Sequence, residues 1–453
     1  MRSTWRIAAG ALALFLVWHA WRSAANHDEV EHMHAAWMVS IGERPFADFF
    51  EQHPPVYWYL ISPVAGATEN PQAFAFVARL FDLACLAGML VVFRRLVRKV
   101  EPEADGPWPT LLLFAAYIFT RNMMVVRPDP LMTLCAFAGL DLWFDYLDTR
   151  RLARAAIAGL LFGAAIAVLQ KAGVMMALVM AAAVVRDRKT FFGVLVMGAA
   201  SLAPVALLAL FAWHGGWLAD MWFCNFPFNK FFYLQAPVAG RVAFTDTLVQ
   251  VLVTNPVIVA LGLAGLRGLR EPKRLTLVVV LAGFMAMLAT SSFPLAQYYL
   301  VPLPILGIFA ARWTRHLLAR IATLGALAIM LYAMIDYEPV DKYLAVQEDV
   351  LAHTTPEQSV FIPPNYAPIF RRDAGYFWYN GVMTAEVYGV YCRDHACPAP
   401  DKRELDDAMW AKSPPVFVWI SDKYPWYLPY HWPERSADYR PTALPTLWVR
   451  VQR

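Results

Sequence analysis

Charge is scarce in this sequence. Of its 453 residues, 16% are Asp, Glu, Lys or Arg, against about 25% in a soluble domain. The shortage is concentrated in the first three quarters of the chain and argues against a water-soluble globule there. Cysteine is scarce too: five residues, none in a CxxC spacing, which excludes a zinc ribbon or finger. No internal repeat or low-complexity segment stands out, and the stretch 336–453 shows no nucleotide loop, catalytic-triad motif or nucleic-acid signature. No nucleic acid is expected as a partner.

What fills the chain instead is apolar: 59% of the residues are hydrophobic. A helix needs about 20 mostly apolar residues to cross a bilayer. Stretches near that length occur at 5–21, 73–93, 108–126, 130–147, 154–170, 172–185, 191–213, 247–266, 275–290, 295–311 and 317–335. The expectation is an all-α polytopic membrane protein of about eleven transmembrane helices. The first stretch follows Arg2 and Arg6 like a signal peptide, but no convincing A-x-A site follows it, so it reads as a retained span.

The basic residues orient these spans. Arg94, Arg95, Arg98 and Lys99 follow the second; Arg150, Arg151 and Arg154 the fourth; Arg186, Arg188 and Lys189 the sixth; Arg267, Arg270, Lys273 and Arg274 the eighth; Arg312, Arg315 and Arg320 flank the tenth junction. Every second junction is basic, which places those junctions and the N-terminus in the cytoplasm. The first loop (22–72), the Arg127–Pro130 turn, the 214–246 loop and the tail then lie outside. A multi-pass protein of the cytoplasmic (inner) membrane is expected, with its tail periplasmic or extracellular.

That tail, 336–453, is a different material, rich in Pro, Tyr, Trp and charge. Strand-like runs at 416–420 and 447–451 and a helix-like stretch at 340–352 suggest a small C-terminal extracytoplasmic α/β domain, following a membrane domain over 1–335. Cys392 and Cys397 are placed to form a small disulfide there, consistent with an oxidising compartment.

The most informative segment is the first external loop. Val30, Met33, Trp37 and Ile41 recur at three, four and four residues, one face of an amphipathic helix. Such a helix is expected to lie flat at the membrane surface with Trp37 at headgroup depth, stopping at Gly42. Asp28 opens it as an N-cap with Glu31 reaching back; equally, Asp28 is a carboxylate at the membrane–water boundary able to take a proton from an acceptor. His27, His32, His34 and His53 crowd this loop, and Glu51 lies beside His53. A divalent metal ion is a candidate cofactor there, with Glu51 and His53 as ligands, although the spacing matches no closed motif.

A first span, Asp28-Glu29, an amphipathic helix, a Gly turn, an acidic-aromatic stretch and Pro54-Pro55 before a Tyr/Trp-rich helix together resemble the first external loop of the GT-C glycosyltransferases. The nearest pattern is that of the dolichyl-phosphate-mannose protein mannosyltransferases and the bacterial lipid A aminoarabinose transferases. Arg127-Pro128-Asp129-Pro130, Gln170-Lys171 and the run 292–304 agree in order, so the resemblance covers about 5–335. It implies an enzyme that moves one sugar from a polyprenyl-phosphate carrier to a lipid, glycan or protein acceptor on the outer face. It implies Asp28 as catalytic base, with Glu29 in support. The aminoarabinose transferases have Glu-Lys-Pro-Pro where this chain has Gln52-His53-Pro54-Pro55. His53 thus stands where a lysine would contact the donor phosphate, and the acid has moved to Glu51.

The leaving phosphate gathers charge, which nearby cations stabilise. Arg127, Lys171 and a protonated His53 are the candidates. Arg127 could equally snorkel at a helix end, whereas Lys171 interrupts an apolar run, where a charge is costly. Glu51, Gln52, Asp129, Gln297, Tyr298 and Tyr299 are candidate substrate contacts, against plainer roles: a helix cap for Asp129, an interfacial aromatic belt for the tyrosines. The stretch 222–233, with seven aromatics in twelve residues, suits a gate or a bilayer contact equally. The main rival function is a transporter or flippase, disfavoured by the lack of a repeat. Further rivals are a polysaccharide polymerase or ligase using a diphosphate-linked donor and a non-catalytic scaffold.

Overall fold

The computed structural model describes residues 2–104, 106–234, 243–268, 270–335, 341–360, 369–373, 376, 391, 416–418, 439–441 and 447–450. Helices dominate: α1 (Arg2–Arg22), α2 (His27–Ser40), α3 (Val56–Ala67), α4 (Pro71–Val100), α5 (Trp108–Phe114), α6 (Tyr117–Asn122), α7 (Pro128–Thr149), α8 (Leu152–Val168) and α9 (Ala172–Arg186). Then follow α10 (Phe191–His214), α11 (Leu218–Phe223), α12 (Asn229–Leu234), α13 (Phe244–Thr254), α14 (Pro256–Gly265), α15 (Pro272–Thr290), α16 (Pro302–Ala310), α17 (Leu317–Ile335) and α18 (Asp341–Ala352).

Among the described residues four helices are long and apolar enough to cross a membrane: Pro71–Val100, Arg188–His214, Pro272–Thr290 and Leu317–Ile335. The pair α13 and α14, bent by 96°, makes a fifth if it counts as one span. Several other expected spans exist as shorter or interrupted helices. The stretch 108–126 breaks at Ala115–Ala116 into α5 and α6, and 295–311 opens as a 3₁₀ turn, Ala296–Leu300, before Pro302 starts α16. Proline at a first helical position starts a helix readily but cannot continue one from the preceding turn. Helices α8 and α9 are apolar but only 17 and 15 residues long.

The chain forms two compact units. The first gathers Met1–Ala78, Ala212–Val238 and Tyr337–Arg453; the second gathers Arg79–Phe211 and Ala239–Asp336. In the first unit, the described residues of the tail form α18 and five short strands: β1 (Ser359–Val360), β2 (Arg372–Asp373), β3 (Val416–Val418), β4 (Tyr439–Pro441) and β5 (Leu447–Arg450). Strands β1 and β2 pair in parallel, and β5 lies between β3 and β4, antiparallel to both. The helix and both strand-like runs read from the sequence are therefore present. Cys392 and Cys397 lie outside the described residues.

In the second unit, small residues let helices meet backbone to backbone. Gly159 and Gly163, four apart on α8, face the carbonyl oxygens of Met197 and Ser201 on α10. A Cβ added at either glycine would lie 2.2 Å from that oxygen. This is the small-xxx-small contact by which membrane helices gain packing that lipid cannot supply. Gly163→Val is expected to destabilise the protein by about 1–3 kcal/mol or more, as overpacking does. Gly10→Ala, with open space around it, should leave the detergent melting temperature unchanged or slightly higher. Equal melting of wild type and Gly163→Val would refute the contact. Nearer the expected cytoplasmic ends, Asp141 and Asp145 of α7 hold Arg95 and Lys99 of α4, Lys99 lying 2.6 Å from both carboxylates. These acids thereby tie α7 to α4.

Candidate active site

The first cluster lies within the first unit, on α2 and the loop after it. Helix α2 begins with a reciprocal capping box: Asn26 Oδ1 accepts from the Glu29 amide at 3.0 Å, and the Asn26 amide donates to Glu29 Oε2 at 3.0 Å. The expected cap of Asp28 with Glu31 is thus displaced by two residues. Asn26 carries a carbonyl acceptor and fits the N-cap as well as aspartate does, and Glu29, three residues on, completes the box. Asp28 becomes the second residue of the helix, half-buried, where the capping role no longer needs it. Glu29 is buried and committed to the cap. The helix stops as expected: Gly42 takes φ +91°, and its amide donates to Val39 O at 3.1 Å.

The polar face of this amphipathic helix is covered by protein. Val30, Met33 and Trp37 are buried, but so are Glu29, Glu31, His32 and His34 on the rest of the helix. Helix α3 covers one polar side, where Trp58 Nε1 donates to His32 Nδ1 at 3.0 Å. The tail covers another, where His34 Nδ1 lies 3.2 Å from the Ile369 carbonyl. Periodicity finds the apolar face and cannot see what covers the opposite one.

Burial brings four titratable groups together. His53 Nδ1 lies 3.5 Å from Glu31 Oε1 and 3.5 Å from Glu51 Oε2. The His32 and His53 rings meet edge-on at 5.2 Å. Ligand atoms of Glu31, His32 and His53 all fall within 4.8 Å of one another, close enough to surround one metal ion. Glu51 and His53 were the sequence candidates. Glu31 and His32 were overlooked as site residues, although their positions three and four after Asp28 put all three on one helix face.

The loop is firmly held. Asn229 Nδ2 donates to the Gln52 carbonyl at 2.7 Å. The Phe50 amide donates to Tyr376 O at 2.9 Å, and Tyr376 Oη donates to Phe46 O at 2.6 Å. Phe46 itself sits at φ +67°, a conformation costly for a bulky residue and sustained only by such surroundings. The aromatic stretch divides: Phe228 turns inward against Phe50, centroids 5.4 Å apart, while Trp222 and Phe226 face outward, 60% and 45% exposed.

Burial pushes the Glu51 carboxyl up, and neighbouring Glu31 adds to this, so that it reaches about 8. Burial pulls the His53 imidazole down, but the two carboxylates outweigh it and push it up to about 10. Both shifts have the same consequence for stability. Glu51's ordinary value is 4.5, so its ionisation costs folded protein progressively from there through about 8. His53's contribution is complete below its ordinary 6.5 and is lost as pH rises through about 10. In chelator, the melting temperature should therefore fall between pH 7 and pH 10. Glu51→Gln should remove the earlier part of that fall. A flat profile in wild type would contradict the charge assignment.

The second cluster lies within the second unit. Asp129, second residue of α7, is 1% exposed. Arg127 Nε reaches its Oδ2 at 3.2 Å, and Lys171 Nζ bonds its Oδ1. Lys171 also lies over the face of Tyr298, 4.4 Å from the ring centroid. The carboxylate thus bridges the two basic side chains. Arg127 is buried, which does not fit a snorkelling residue. Gln297 and Tyr299 are buried in the same 3₁₀ turn that presents Tyr298. Of the candidate site residues read from the sequence, Arg127, Asp129, Lys171 and Tyr298 come together here.

Neither a family model nor a curated protein matches the chain by sequence. Its fold does match solved structures. ArnT from Cupriavidus metallidurans in the apo state aligns with a TM-score of 0.64 at 13% identity, covering 82% of this chain and 85% of that one. The same protein bound to undecaprenyl phosphate aligns at 0.56 and 14% identity, covering 78% and 73%. The apo oligosaccharyltransferase of Archaeoglobus fulgidus aligns at 0.47 and 12% identity, covering 72% and 54%. The chain therefore has the fold of ArnT.

Proposed function

We propose that this protein is a membrane glycosyltransferase that moves a single sugar from a polyprenyl-phosphate donor to a lipid, glycan or protein acceptor on the outer face of the cytoplasmic membrane, with inversion. The observation that carries this reading is the ArnT fold across 82% of the chain, joined to the loop motif that resembles the lipid A aminoarabinose transferases. That one ArnT structure holds undecaprenyl phosphate supports a lipid-phosphate donor for this chain too. The proposed topology is about eleven crossings from a cytoplasmic N-terminus, with 1–335 as the membrane domain and the 336–453 tail outside.

In the proposed reaction Asp28 takes the proton from the acceptor hydroxyl as its oxygen bonds to the anomeric carbon. The bond from that carbon to the phosphate oxygen breaks, and the polyprenyl phosphate leaves with the electron pair. Arg127 and Lys171 are assigned to the charge that gathers on the leaving phosphate, with His53 as a third cation. Asp129 sets the positions of the first two. Glu29 acts through the cap that fixes the first turn of α2. Gln52, Glu51, Gln297, Tyr298 and Tyr299 are assigned to substrate contacts.

The test is transfer of radiolabelled sugar by the full chain in detergent, using isolated polyprenyl-phosphate-sugars and, separately, diphosphate-linked donors. Transfer from a monophosphate-linked donor is expected. Turnover of diphosphate-linked donors alone would replace this reading with that of a polymerase or ligase, and no transfer from either would overturn it.

A further inference from the structure

We propose that a cavity at the Arg186 end of α9 binds the phosphate of an anionic phospholipid headgroup. The inference stands apart from the transfer reading, because lipid binding is measured without any glycosyl transfer.

The cavity holds about 250 Å³ and lies within the second unit, where α7 and α9 end and α15 begins. Lys171 precedes α9 and Arg186 closes it. At about 1.5 Å per residue, the cavity is therefore about 22 Å along that helix from the Asp129 cluster. Pockets for whole small molecules measure about 300–1,000 Å³, so this one suits a headgroup better than a nucleotide.

Charge carries the proposal first. Four basic side chains line the cavity: Lys99, Arg150, Arg186 and Lys273. Three have carboxylate partners. Lys99 lies 2.6 Å from Asp141 and from Asp145, Arg150 lies 2.8 Å from Asp187, and Lys273 lies 2.7 Å from Asp148. Glu271, also in the lining, turns to Arg274 at 3.1 Å. Among the described residues Arg186 has no carboxylate partner, and its hydrogen bond runs from Nε to the Arg270 carbonyl at 3.1 Å. Both terminal nitrogens are left for a phosphate, which a guanidinium grips in bidentate fashion.

The first turn of α15 adds to this. It lines the same cavity, and among the described residues no side chain caps it. An uncapped helix N-terminus offers amide donors and a partial positive charge, which favour an anion.

The surroundings choose lipid over a free anion. Val185 precedes Arg186, and Phe191 and Phe192 follow Thr190 of the lining; the three are 84%, 53% and 59% exposed. Apolar side chains turned outward beside a basic cavity match the two halves of a phospholipid, acyl chains against the former and phosphate in the latter. A free phosphate would use the cavity alone. In the proposed topology this end of the helices is cytoplasmic, where basic loops meet anionic headgroups.

The full chain, purified in detergent and stripped of lipid, is titrated with phosphatidylglycerol, phosphatidylcholine or inorganic phosphate. Binding is read by native mass spectrometry and by melting temperature. Phosphatidylglycerol should raise the melting temperature and bind at least about fivefold more tightly than phosphatidylcholine. Arg186→Gln should weaken phosphatidylglycerol binding about fivefold, the share of one basic residue at an anionic lipid surface, and Arg186→Lys should retain most of it. Arg188→Gln removes the same charge two residues away, outside the lining. It should change binding by less than about twofold, because an exposed charge off the site is screened. Lipid-free melting shows which variants fold, and if Arg186→Gln does not, the wild-type preference among the three ligands decides. Equal binding of the two phospholipids, equal stabilisation by inorganic phosphate, or equal loss in Arg186→Gln and Arg188→Gln would overturn the proposal.

Discussion

Asp28→Asn should lower sugar transfer by about 10²–10⁴-fold, the usual worth of a positioned general base, while leaving the protein folded. The separation of effects follows from the cap. Had Asp28 closed the first turn of α2, its loss would have cost helix and chemistry together. Because Asn26 and Glu29 close that turn, the carboxylate of Asp28 can be removed without opening it. The contrasting substitution is Asn26→Ala, which should cost about 1 kcal/mol of stability through the lost cap and lower transfer only as far as the turn loosens. Initial rates and melting temperatures of the two variants, measured side by side, check this. Transfer by Asp28→Asn within a few-fold of wild type would remove Asp28 as the base.

The largest stability effect is expected at Asp129. Its carboxylate is buried between Arg127 and Lys171. Asp129→Asn removes the carboxylate that both cations share, and breaking a buried pair in this way costs about 3–5 kcal/mol. Lys171→Met keeps the Arg127–Asp129 pair and should be much milder for stability, yet it removes a cation assigned to the donor phosphate and should raise the donor KM or lower kcat. The two variants thus separate holding the cluster from using it. Thermal unfolding of Asp129→Asn within about 1 kcal/mol of wild type would show that the carboxylate does not hold the cations.

Much of this was legible in the sequence. The spacing of Val30, Met33 and Trp37 gave α2 nearly to its ends, because apolar periodicity and Gly42 are local signals. Arg127, Asp129, Lys171 and Tyr298 were found as separate weak motifs, and the fold brings the four side chains into contact. The cap was misplaced because Asn26 and Asp28 suit an N-cap about equally, and only backbone geometry chooses between them. The roles of Glu31 and His32 were hidden for a different reason. Polar residues opposite an apolar stripe look solvated until another element covers them, and here Trp58 does so from 26 residues away. The apolar stretches were found, but composition does not reveal where a helix breaks, as at Ala115–Ala116 and at the turn before Pro302.

The glycine contacts between α8 and α10 also bear on motion. Two helices whose backbones touch at Gly159 and Gly163 leave no room there to slide or rotate past each other by small steps. They behave as one stiff plate. Any flexing of the second unit during a working cycle must then be taken up elsewhere in it, and the 96° corner between α13 and α14, where the chain turns at Asn255 before Pro256, has the form of a hinge. A crosslink locking that corner should arrest turnover, whereas one joining α8 to α10 should go unnoticed.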